Sequence, residues 1–461
     1  MLDTYLRQSR QTLNLGIVKV VRDLFPDNEL KIAYSVPQGV FCKLVDSALS
    51  EREVRLIEKR LNGWVAENSP IEFLAKKKGY YQYQVEDTII KTIYPANALT
   101  TMIEPFKVIP FCDGFIVEFD DLKPAEKEPM IIPEKLSATY EKTQKWIRNI
   151  KIELLSDVNA YIESGRSNEL IGMSEALQEK EISDIADVIL QQKRSVRGLL
   201  ISGPSSSGKT SFAQRISTQL RVNGMRPLPL SLDNYYLNRD KVPKDEDGKY
   251  DFECLEALDL ELLQDHISRL TYGETVETPI FDFTKGCRSE RCIPMHLGDS
   301  ELLVIEGIHA LNPNLLPCID RNIFFRIYIS ALFLLNVDLT NRIPTTEVRL
   351  IRRLVRDDRF RGTGAEETLD RWKSVRKGEY SYVFKHQEEA DMMFNSSMIY
   401  ELNALRPFAE ASLKKMPENS PHILARDRLL NILSFSQPLD TSKVPFNSIL
   451  REFIGGSIYF E

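Results

Sequence analysis

The sequence predicts an α/β domain, a parallel sheet flanked by helices, preceded by a smaller α+β domain. Strand-like and helical segments alternate from Arg197 onward, and one apolar run leads directly into a glycine-rich loop. Short strand-like runs beside two one-faced helices predict the α+β domain over residues 1–125. A chain of 461 residues is too long for one hydrophobic core, so more than one domain is expected.

The composition is ordinary for a globular protein, with 43% hydrophobic residues, 28% charged residues and a net charge of −7. This charge gives no indication of a nucleic-acid or membrane surface, and we expect neither partner. The six cysteines form no C-x-x-C pair, which favours reduced thiols over a disulfide framework. No signal-peptide pattern and no membrane-length apolar run is present, so we expect a cytoplasmic protein.

The first 125 residues show no catalytic constellation and contain no histidine. A helix is predicted over Leu13–Phe25, where Pro26 ends it, and a second begins at the capping pattern Ser50–Glu53. Strands are predicted near Lys31–Tyr34, Val40–Leu44, Tyr80–Val85 and Val108–Phe119. Residues 126–195 are polar with helical periodicity from Pro133 and again over 174–192, which predicts a helical connector.

The glycine-rich loop is the strongest functional pattern in the chain. It fits G-x-x-x-x-G-K-[ST], follows the apolar run Gly198–Ser202 and opens a helix that Asn223-Gly224 ends. Backbone N–H groups and the helix N-terminus would hold the phosphates of ATP, Lys209 would reach the β- and γ-phosphates, and Thr210 would contact Mg²⁺. The predicted nucleotide-binding residues are Gly203, Pro204, Ser205, Ser206, Ser207, Gly208, Lys209, Thr210 and Ser211.

Two later strands end in carboxylates. Asp233 follows the predicted strand Pro227–Leu232, and Glu306 follows the apolar run Leu302–Ile305. Ligands of parallel sheets bind at the carboxyl ends of the strands, so both side chains are expected near the loop. An aspartate at this position can also simply cap the next segment, whereas a glutamate such as Glu306 can hold Mg²⁺.

Arginines recur at spacings of three and four along a predicted helix after the strand Asn322–Ile329. Arg349, Arg352, Arg356 and Arg359 therefore form a stripe on one helix face. Such a face is often only solvated, but beside a phosphate loop it predicts a lid that closes over ATP. Gly362 and Gly364 would supply the hinge of that lid.

Residues 197–405 resemble the uridine kinase and phosphoribulokinase family. The matching motifs are the phosphate loop, Leu232–Tyr236, Tyr250–Glu253, Phe281–Phe283, Ile305–Gly307 and the arginine-rich segment 352–362. The resemblance implies a kinase domain over residues 196–405 that uses ATP and Mg²⁺. It also implies a bacterial branch of nucleoside kinases in which a synthetase-like region precedes the kinase, and in which a TGS domain commonly comes first; that domain is not recognisable here.

The resemblance also implies roles for individual residues. Asp233 would be the general base, Lys209, Arg356 and Arg361 would act on the phosphates, and Thr210 and Glu306 would hold Mg²⁺. The acceptor would contact Asp233, Tyr236, Glu253, Phe281, Phe283 and Arg356. Phe281 replaces a tyrosine of uridine kinases, Glu253 an aspartate, Gly286 a histidine and Thr363 an arginine, and these changes weaken the case for uridine itself.

The first domain resembles the editing-associated module of threonyl-tRNA synthetases, through the helix ending at Pro26 and the helix over 49–68. That module binds zinc through two histidines, and the matching positions here are Gln11 and Leu15. We therefore expect the zinc site to be lost. A packing or protein-binding role is favoured over RNA binding because the region has no basic stripe.

These observations favour a kinase that phosphorylates a hydroxyl group of a small molecule, most simply a nucleoside. A sugar or another small alcohol is the alternative acceptor, and an ATP-switched regulator that binds RNA or protein is a different class of function. A base such as Asp233 favours the enzyme, because a switch does not need one. Residues 406–461 form a C-terminal extension that can pack on the kinase domain or on a sister subunit, so a homo-oligomer stays open.

Overall fold

The computed structural model describes residues 2–36, 39–119, 133–192, 196–246, 248–282, 285–298, 300–317 and 319–459. The predicted domain boundaries near residues 125 and 195 lie outside these ranges. Both predicted architectures are confirmed: a parallel sheet flanked by helices follows a separate region built on antiparallel sheets.

The N-terminal region packs two helices on antiparallel sheets. Its elements are α1 (Leu2–Leu24), β1 (Leu30–Val36), β2 (Gly39–Leu44), α2 (Glu51–Ala66), β3 (Ile71–Lys77), β4 (Tyr80–Val85), β5 (Thr88–Thr92), β6 (Phe106–Phe111) and β7 (Gly114–Phe119). The strands form a four-stranded sheet in the order β1-β2-β7-β6 and a three-stranded sheet, β3-β4-β5. Ser50 caps α2 with a complete capping box, as the sequence predicts. Residues 108–119 contain two strands joined by a turn instead of one.

The second region is organised around a five-stranded parallel sheet in the order β14-β13-β8-β12-β9. Its strands are β8 (Gly198–Ser202), β9 (Arg226–Ser231), β12 (Glu301–Glu306), β13 (Phe324–Ser330) and β14 (Met392–Asn395), and β10 (Thr275–Asp282) and β11 (Cys287–His296) form a separate antiparallel hairpin. The central strand β8 is buried along its whole length, which explains its continuous apolar run.

Helices cover both faces of this sheet and the edges beyond it. They are α3 (Glu134–Asn149), α4 (Leu155–Glu163), α5 (Ser167–Gln191), α6 (Lys209–Val222), α7 (Leu260–Thr271), α8 (Thr345–Phe360), α9 (Ala365–Gly378), α10 (Glu401–Leu413), α11 (Ile423–Ser434) and α12 (Arg451–Ile454). The helices of the predicted connector pack on the sheet domain, α3 against β14 and α5 against α6 and β14. The C-terminal α12 packs on α8.

The segment after β13 joins the two regions through hydrogen bonds. The Asn336 side chain donates to the Ile32 carbonyl over 2.8 Å, and the Ile93 N–H donates to the Asn341 side chain over 3.0 Å. At the start of α8, the buried carboxylate of Glu347 pairs with Arg7 of α1 and with Arg428 of α11. In the described part of the chain, no helix has the length and apolar character needed to span a membrane.

Candidate active site

The phosphate loop connects β8 to α6, the arrangement that the sequence predicts. Gly208 lies just before α6 with φ +85°, a left-handed conformation that a side chain would disfavour. The first turn of α6 begins with Lys209, whose Nζ donates to the carbonyl oxygen of Pro204 over 3.1 Å. The loop therefore wraps around the lysine ammonium and leaves the N-terminus of α6 facing the same space.

Arginines from the first half of α8 hold the loop from behind. Arg349 Nε donates to the Ser205 carbonyl over 3.0 Å, and Arg352 Nη1 donates to the Ser206 carbonyl over 3.4 Å. Both guanidinium groups are buried, and each pairs with a buried carboxylate, Arg349 with Glu379 and Arg352 with Glu401. The arginine stripe is thus divided: Arg349 and Arg352 anchor the loop, whereas Arg356 pairs with Asp357 and Arg359 lies over the Phe408 ring.

Glu379 completes this support. One of its carboxylate oxygens accepts the N–H of Ser205 over 3.0 Å, and the other pairs with Arg376 over 2.5 Å. The neighbouring Arg353 donates to the Ser205 hydroxyl over 2.9 Å. The contacts of Glu379 and Arg353 with Ser205 were not predicted from the sequence, because these residues lie 174 and 148 positions from Ser205.

Asp233 and Glu306 lie at the carboxyl ends of neighbouring strands, β9 and β12, which pair in parallel from Glu301 to Glu306. The hydroxyl of Ser231 donates to Glu306 Oε1 over 2.9 Å. Burial and the charge of Asp233 raise the pKa of Glu306 to about 7. Burial also raises the pKa of Asp233, against the opposing effect of Lys209, Arg361 and Arg356. The two carboxylates and the lysine therefore share one half-buried space.

The same carboxylates affect the pKa of Lys209. Burial lowers the pKa of Lys209, while Glu306, Asp233 and Glu452 counteract that shift. Glu452 comes from α12 in the C-terminal extension, and its carboxylate accepts the Ser211 hydroxyl over 2.7 Å. The two residues are 241 positions apart in the sequence, so no local sequence pattern predicts their contact.

The predicted lid is the second half of α8 and the turn that follows it. Arg356 pairs with Asp357 over 3.0 Å, and Arg361 lies 3.8 Å from the same carboxylate. Gly362 ends the helix with φ +61°, the conformation expected of a glycine at a helix C-terminus, while Gly364 is extended. Arg356 and Arg361 both act electrostatically on Asp233, so the lid faces the carboxylate side of the phosphate loop.

The predicted acceptor residues lie beside Asp233. The rings of Tyr236 and Phe281 are 5.9 Å apart, and the Tyr236 hydroxyl donates to the Phe252 carbonyl over 3.1 Å. Burial raises the pKa of Glu253 to about 7, and Arg353 opposes that shift. Phe283 lies outside the described residues.

The positions that would match the synthetase zinc ligands are not equivalent in the structure. Leu15 is buried in the core of the N-terminal region, whereas Gln11 lines a large cavity between that region and the sheet domain. Over the described ranges, no group of three or more histidine, cysteine, aspartate or glutamate side chains is arranged to hold a metal ion.

Comparison with known proteins matches residues 199–401 to the family model "Phosphoribulokinase / Uridine kinase family". A uridine kinase of Macrococcus caseolyticus is 32% identical over 176 residues, which is 38% of this chain and 75% of the relative. A uridine kinase of Lactobacillus johnsonii is 30% identical over 193 residues, 42% of this chain and 82% of the relative.

A solved structure, the "Possible Uridine Kinase from Bacillus stearothermophilus", is 20% identical, with a TM-score of 0.30; the match covers 47% of this chain and all of that one. The matched residues include the loop, both strand-end carboxylates and the predicted lid. The motifs and the similarity to relatives agree, and the chain belongs to the phosphoribulokinase and uridine kinase family as an ATP-dependent kinase.

Proposed function

We propose that this kinase transfers the γ-phosphoryl group of ATP to a hydroxyl of a nucleoside, in the manner of a uridine or cytidine kinase. The observation that carries the proposal is the position of Asp233, a half-buried carboxylate within electrostatic reach of Lys209, Arg356 and Arg361. A base is thereby next to the cations that bind phosphates, where an acceptor hydroxyl must meet the γ-phosphate.

In this mechanism Asp233 orients the acceptor hydroxyl and takes its proton. The acceptor oxygen forms a bond to the γ-phosphorus while the bond from that phosphorus to the β,γ-bridging oxygen breaks, and ADP leaves with the negative charge. Phosphoryl transfer needs little covalent chemistry from the protein, so positioning and charge stabilisation supply most of the catalysis.

The cations stabilise the charge on the transferring group. Lys209 is held at the mouth of the loop by its bond to the Pro204 carbonyl, so its ammonium points where the β- and γ-phosphates would lie. Arg356 and Arg361 lie near the end of α8, within electrostatic reach of Asp233, and would stabilise charge on the γ-phosphate.

The oxygen atoms of Thr210 and Glu306 are suitable ligands for Mg²⁺. Thr210 supplies a hydroxyl and Glu306 a carboxylate, both oxygen ligands of the kind that Mg²⁺ prefers. Burial raises the pKa of Glu306, and the charges of Asp233 and Glu452 raise it further. A cation bound beside these carboxylates would reduce their mutual repulsion. Held by Thr210 and Glu306, Mg²⁺ would neutralise part of the charge on the phosphates of ATP.

The acceptor pocket supports a ring-bearing substrate. Tyr236 and Phe281 form an aromatic wall, and Glu253 can accept hydrogen bonds from ribose-type hydroxyls beside it. A Cβ added at Gly286 would lie 3.2 Å from Arg239 Nε, so a guanidinium stands next to the position where uridine kinases carry a histidine. This difference favours a nucleoside acceptor other than uridine, or a sugar as the second candidate.

The test is a screen of acceptors for ADP formation by the full-length protein. Pyrimidine and purine nucleosides are compared with sugars and small alcohols at equal concentration, with ATP and Mg²⁺ present. We expect one nucleoside to give the highest kcat/KM. Higher turnover with a sugar would replace the proposed acceptor class, and tight ATP binding without turnover for any acceptor would favour the ATP-switched regulator.

A further inference from the structure

A second cavity lies between the N-terminal region and the kinase domain. Its volume is about 650 Å³, within the usual range for sites that bind small molecules. It extends from α1, through Gln11 and Asn14, to the start of α8 and the back of the phosphate loop at Pro204. Lys209, Asp233 and Glu253 do not line it, so it is separate from the proposed acceptor site.

The cavity is strongly cationic. Seven of its lining side chains are arginine or lysine, and Asp427 is the one carboxylate among the described residues that line it. Four of these cations share two carboxylates behind the wall: Arg7 and Arg428 pair with Glu347, and Arg349 and Arg376 pair with Glu379. Of the other three, Arg10 lies over the Phe119 ring, Lys76 lies over the Tyr81 ring, and Arg342 is buried.

Arg342 is a buried guanidinium, 7% exposed, whose hydrogen-bond acceptors are all neutral. It donates to the Ala33 carbonyl over 3.1 Å, to the Ser35 hydroxyl over 2.6 Å and to the Thr345 hydroxyl over 3.3 Å. In the described ranges no carboxylate forms an ion pair with it, and burial lowers its pKa to about 10. A buried charge of this kind is costly unless an anion neutralises it.

Two further features point into the same space. The helix α8 begins at Thr345, and no side chain caps its N-terminus. Thr345 and Thr346 line the cavity with Arg342, so the positive end of the helix dipole lies at this part of the wall. The hydroxyl of Tyr94 is buried in the cavity wall without a hydrogen-bond partner. Tyr94 is also close enough to Arg342 for the two groups to interact electrostatically.

The cavity walls also carry aromatic side chains. Tyr81, Tyr328, Trp372 and Tyr380 line the cavity, and Trp372 is almost fully buried. Aromatic walls beside a guanidinium and a helix N-terminus are suited to a ligand with both a planar ring and a phosphate.

We propose that this cavity is a second ligand site that binds a small phosphorylated molecule carrying a planar ring, such as a nucleotide, with its phosphate at Arg342 and the start of α8. The site shares α8 with the active site, because Arg342 and Thr345 lie at its start and Arg356 lies one turn before its end.

Calorimetric titration of the full-length protein tests this proposal. The probes are the 5′-monophosphates and 5′-triphosphates of uridine, cytidine, adenosine and guanosine, with uridine alone and inorganic phosphate alone as partial ligands. We expect at least one nucleotide to bind with two sites per chain, and each partial ligand to bind the second site at least tenfold more weakly. Inorganic phosphate that binds as tightly as every nucleotide would overturn the ring requirement.

Two variants test whether the second binding event in the titration takes place in the cavity. Arg342→Gln should weaken it about 10- to 100-fold, as loss of a charge-assisted hydrogen bond does. Tyr94→Phe removes a hydroxyl that makes no hydrogen bond in the ligand-free protein, so folding is preserved, and it should weaken the second event about fivefold. Arg22→Gln, an exposed change on α1 outside the cavity lining, should change neither event.

The phosphate-loop variant Lys209→Ala separates the two sites. It should weaken the event at the active site and leave the cavity event unchanged. The proposal is overturned if every probe binds with one site per chain. It is also overturned if Tyr94→Phe leaves the affinity of the second binding event unchanged while Lys209→Ala abolishes that event.

Discussion

At the scale of single residues, the site depends on opposite charges held close together in a half-buried space. Lys209 lies between the loop carbonyls on one side and the carboxylates of Asp233 and Glu306 on the other. Each charge is partly balanced by a neighbour, so changing one residue alters the pKa of the others. Two predictions follow from this arrangement.

The first concerns the lysine. Lys209→Ala should abolish measurable phosphoryl transfer, because the ammonium that would contact the β- and γ-phosphates is lost, while the fold is retained. ADP formation and the thermal unfolding midpoint are measured together, with the exposed Lys241→Ala as the matched control. Turnover equal to that of the wild type would rule out this loop as the ATP site.

The second concerns Glu306 and pH. Burial and the charge of Asp233 raise its pKa to about 7 in the folded chain, whereas an unfolded glutamate titrates near about 4.3. At pH values between these two pKa values, Glu306 is protonated in the folded state and ionised in the unfolded state. The stabilisation from this group is therefore fully present below about pH 4 and is lost as the pH rises through about 7.

Glu306→Gln should remove this decrease in stability with rising pH. Between about pH 5 and 7, the free energy of unfolding of the variant should rise relative to the wild type, by at most about 1.4 kcal/mol per pH unit. Urea unfolding without ATP or Mg²⁺ measures it, and Glu290→Gln, an exposed change, should show no such slope. A difference independent of pH would mean that Glu306 is already ionised in the folded protein.

At the scale of elements, α8 connects the back of the phosphate loop to the lid. Its first turns are buried and carry Arg349 and Arg352, and Arg356 lies one turn before its end, within electrostatic reach of Asp233. The division follows from packing: Arg349 lies over Trp372 of α9 and Arg352 over Phe453 of α12, and an arginine buried there needs a carboxylate partner.

Breaking one such pair should be costly. Arg352→Ala leaves Glu401 buried without its guanidinium partner and removes a hydrogen bond to the Ser206 carbonyl. We expect a loss of about 3–5 kcal/mol in the free energy of unfolding. Arg371→Ala breaks an exposed pair with Glu367 on α9 and should cost less than about 1 kcal/mol. Equal losses in urea unfolding would contradict this account of α8.

Local features of these elements could be predicted from the sequence, whereas long-range contacts could not. The loop, the two strand-end carboxylates and the strands before them could be predicted because each depends on a contiguous pattern. The contacts of Glu379 with Ser205 and of Glu452 with Ser211 could not, because each joins segments 174 and 241 residues apart. The arginine spacing predicted a shared helix face correctly but could not tell which turns are buried.

At the scale of the whole molecule, the N-terminal region is joined to the kinase domain by buried polar contacts. Glu347 links α1, α8 and α11 through Arg7 and Arg428, and Asn336 and Asn341 bond to the backbone of β1 and the segment after β5. Such contacts leave the N-terminal region in a position to affect the start of α8. What that region recognises could not be predicted, since the cavity exists only where the two regions meet.

The loss of a zinc site expected for the N-terminal region gives a further prediction. The full-length protein should bind no stoichiometric zinc, because Gln11 and Leu15 stand where the resemblance proposed from the sequence would place the two histidine ligands. Elemental analysis of protein purified without chelator measures the metal content. One tightly held zinc per chain, retained through dialysis, would contradict the expected loss of the site.

The most direct test of the central claim is the effect of Asp233→Asn on ATP binding and on turnover, measured in parallel. Loss of a general base should lower acceptor-dependent turnover by roughly 10²- to 10⁴-fold. The dissociation constant for ATP should stay equal or fall slightly, because a negative charge beside the phosphates is removed. The exposed Asp240→Asn, a matched control, should leave both unchanged. Turnover that persists in Asp233→Asn would show that this carboxylate is structural and would contradict the proposed mechanism.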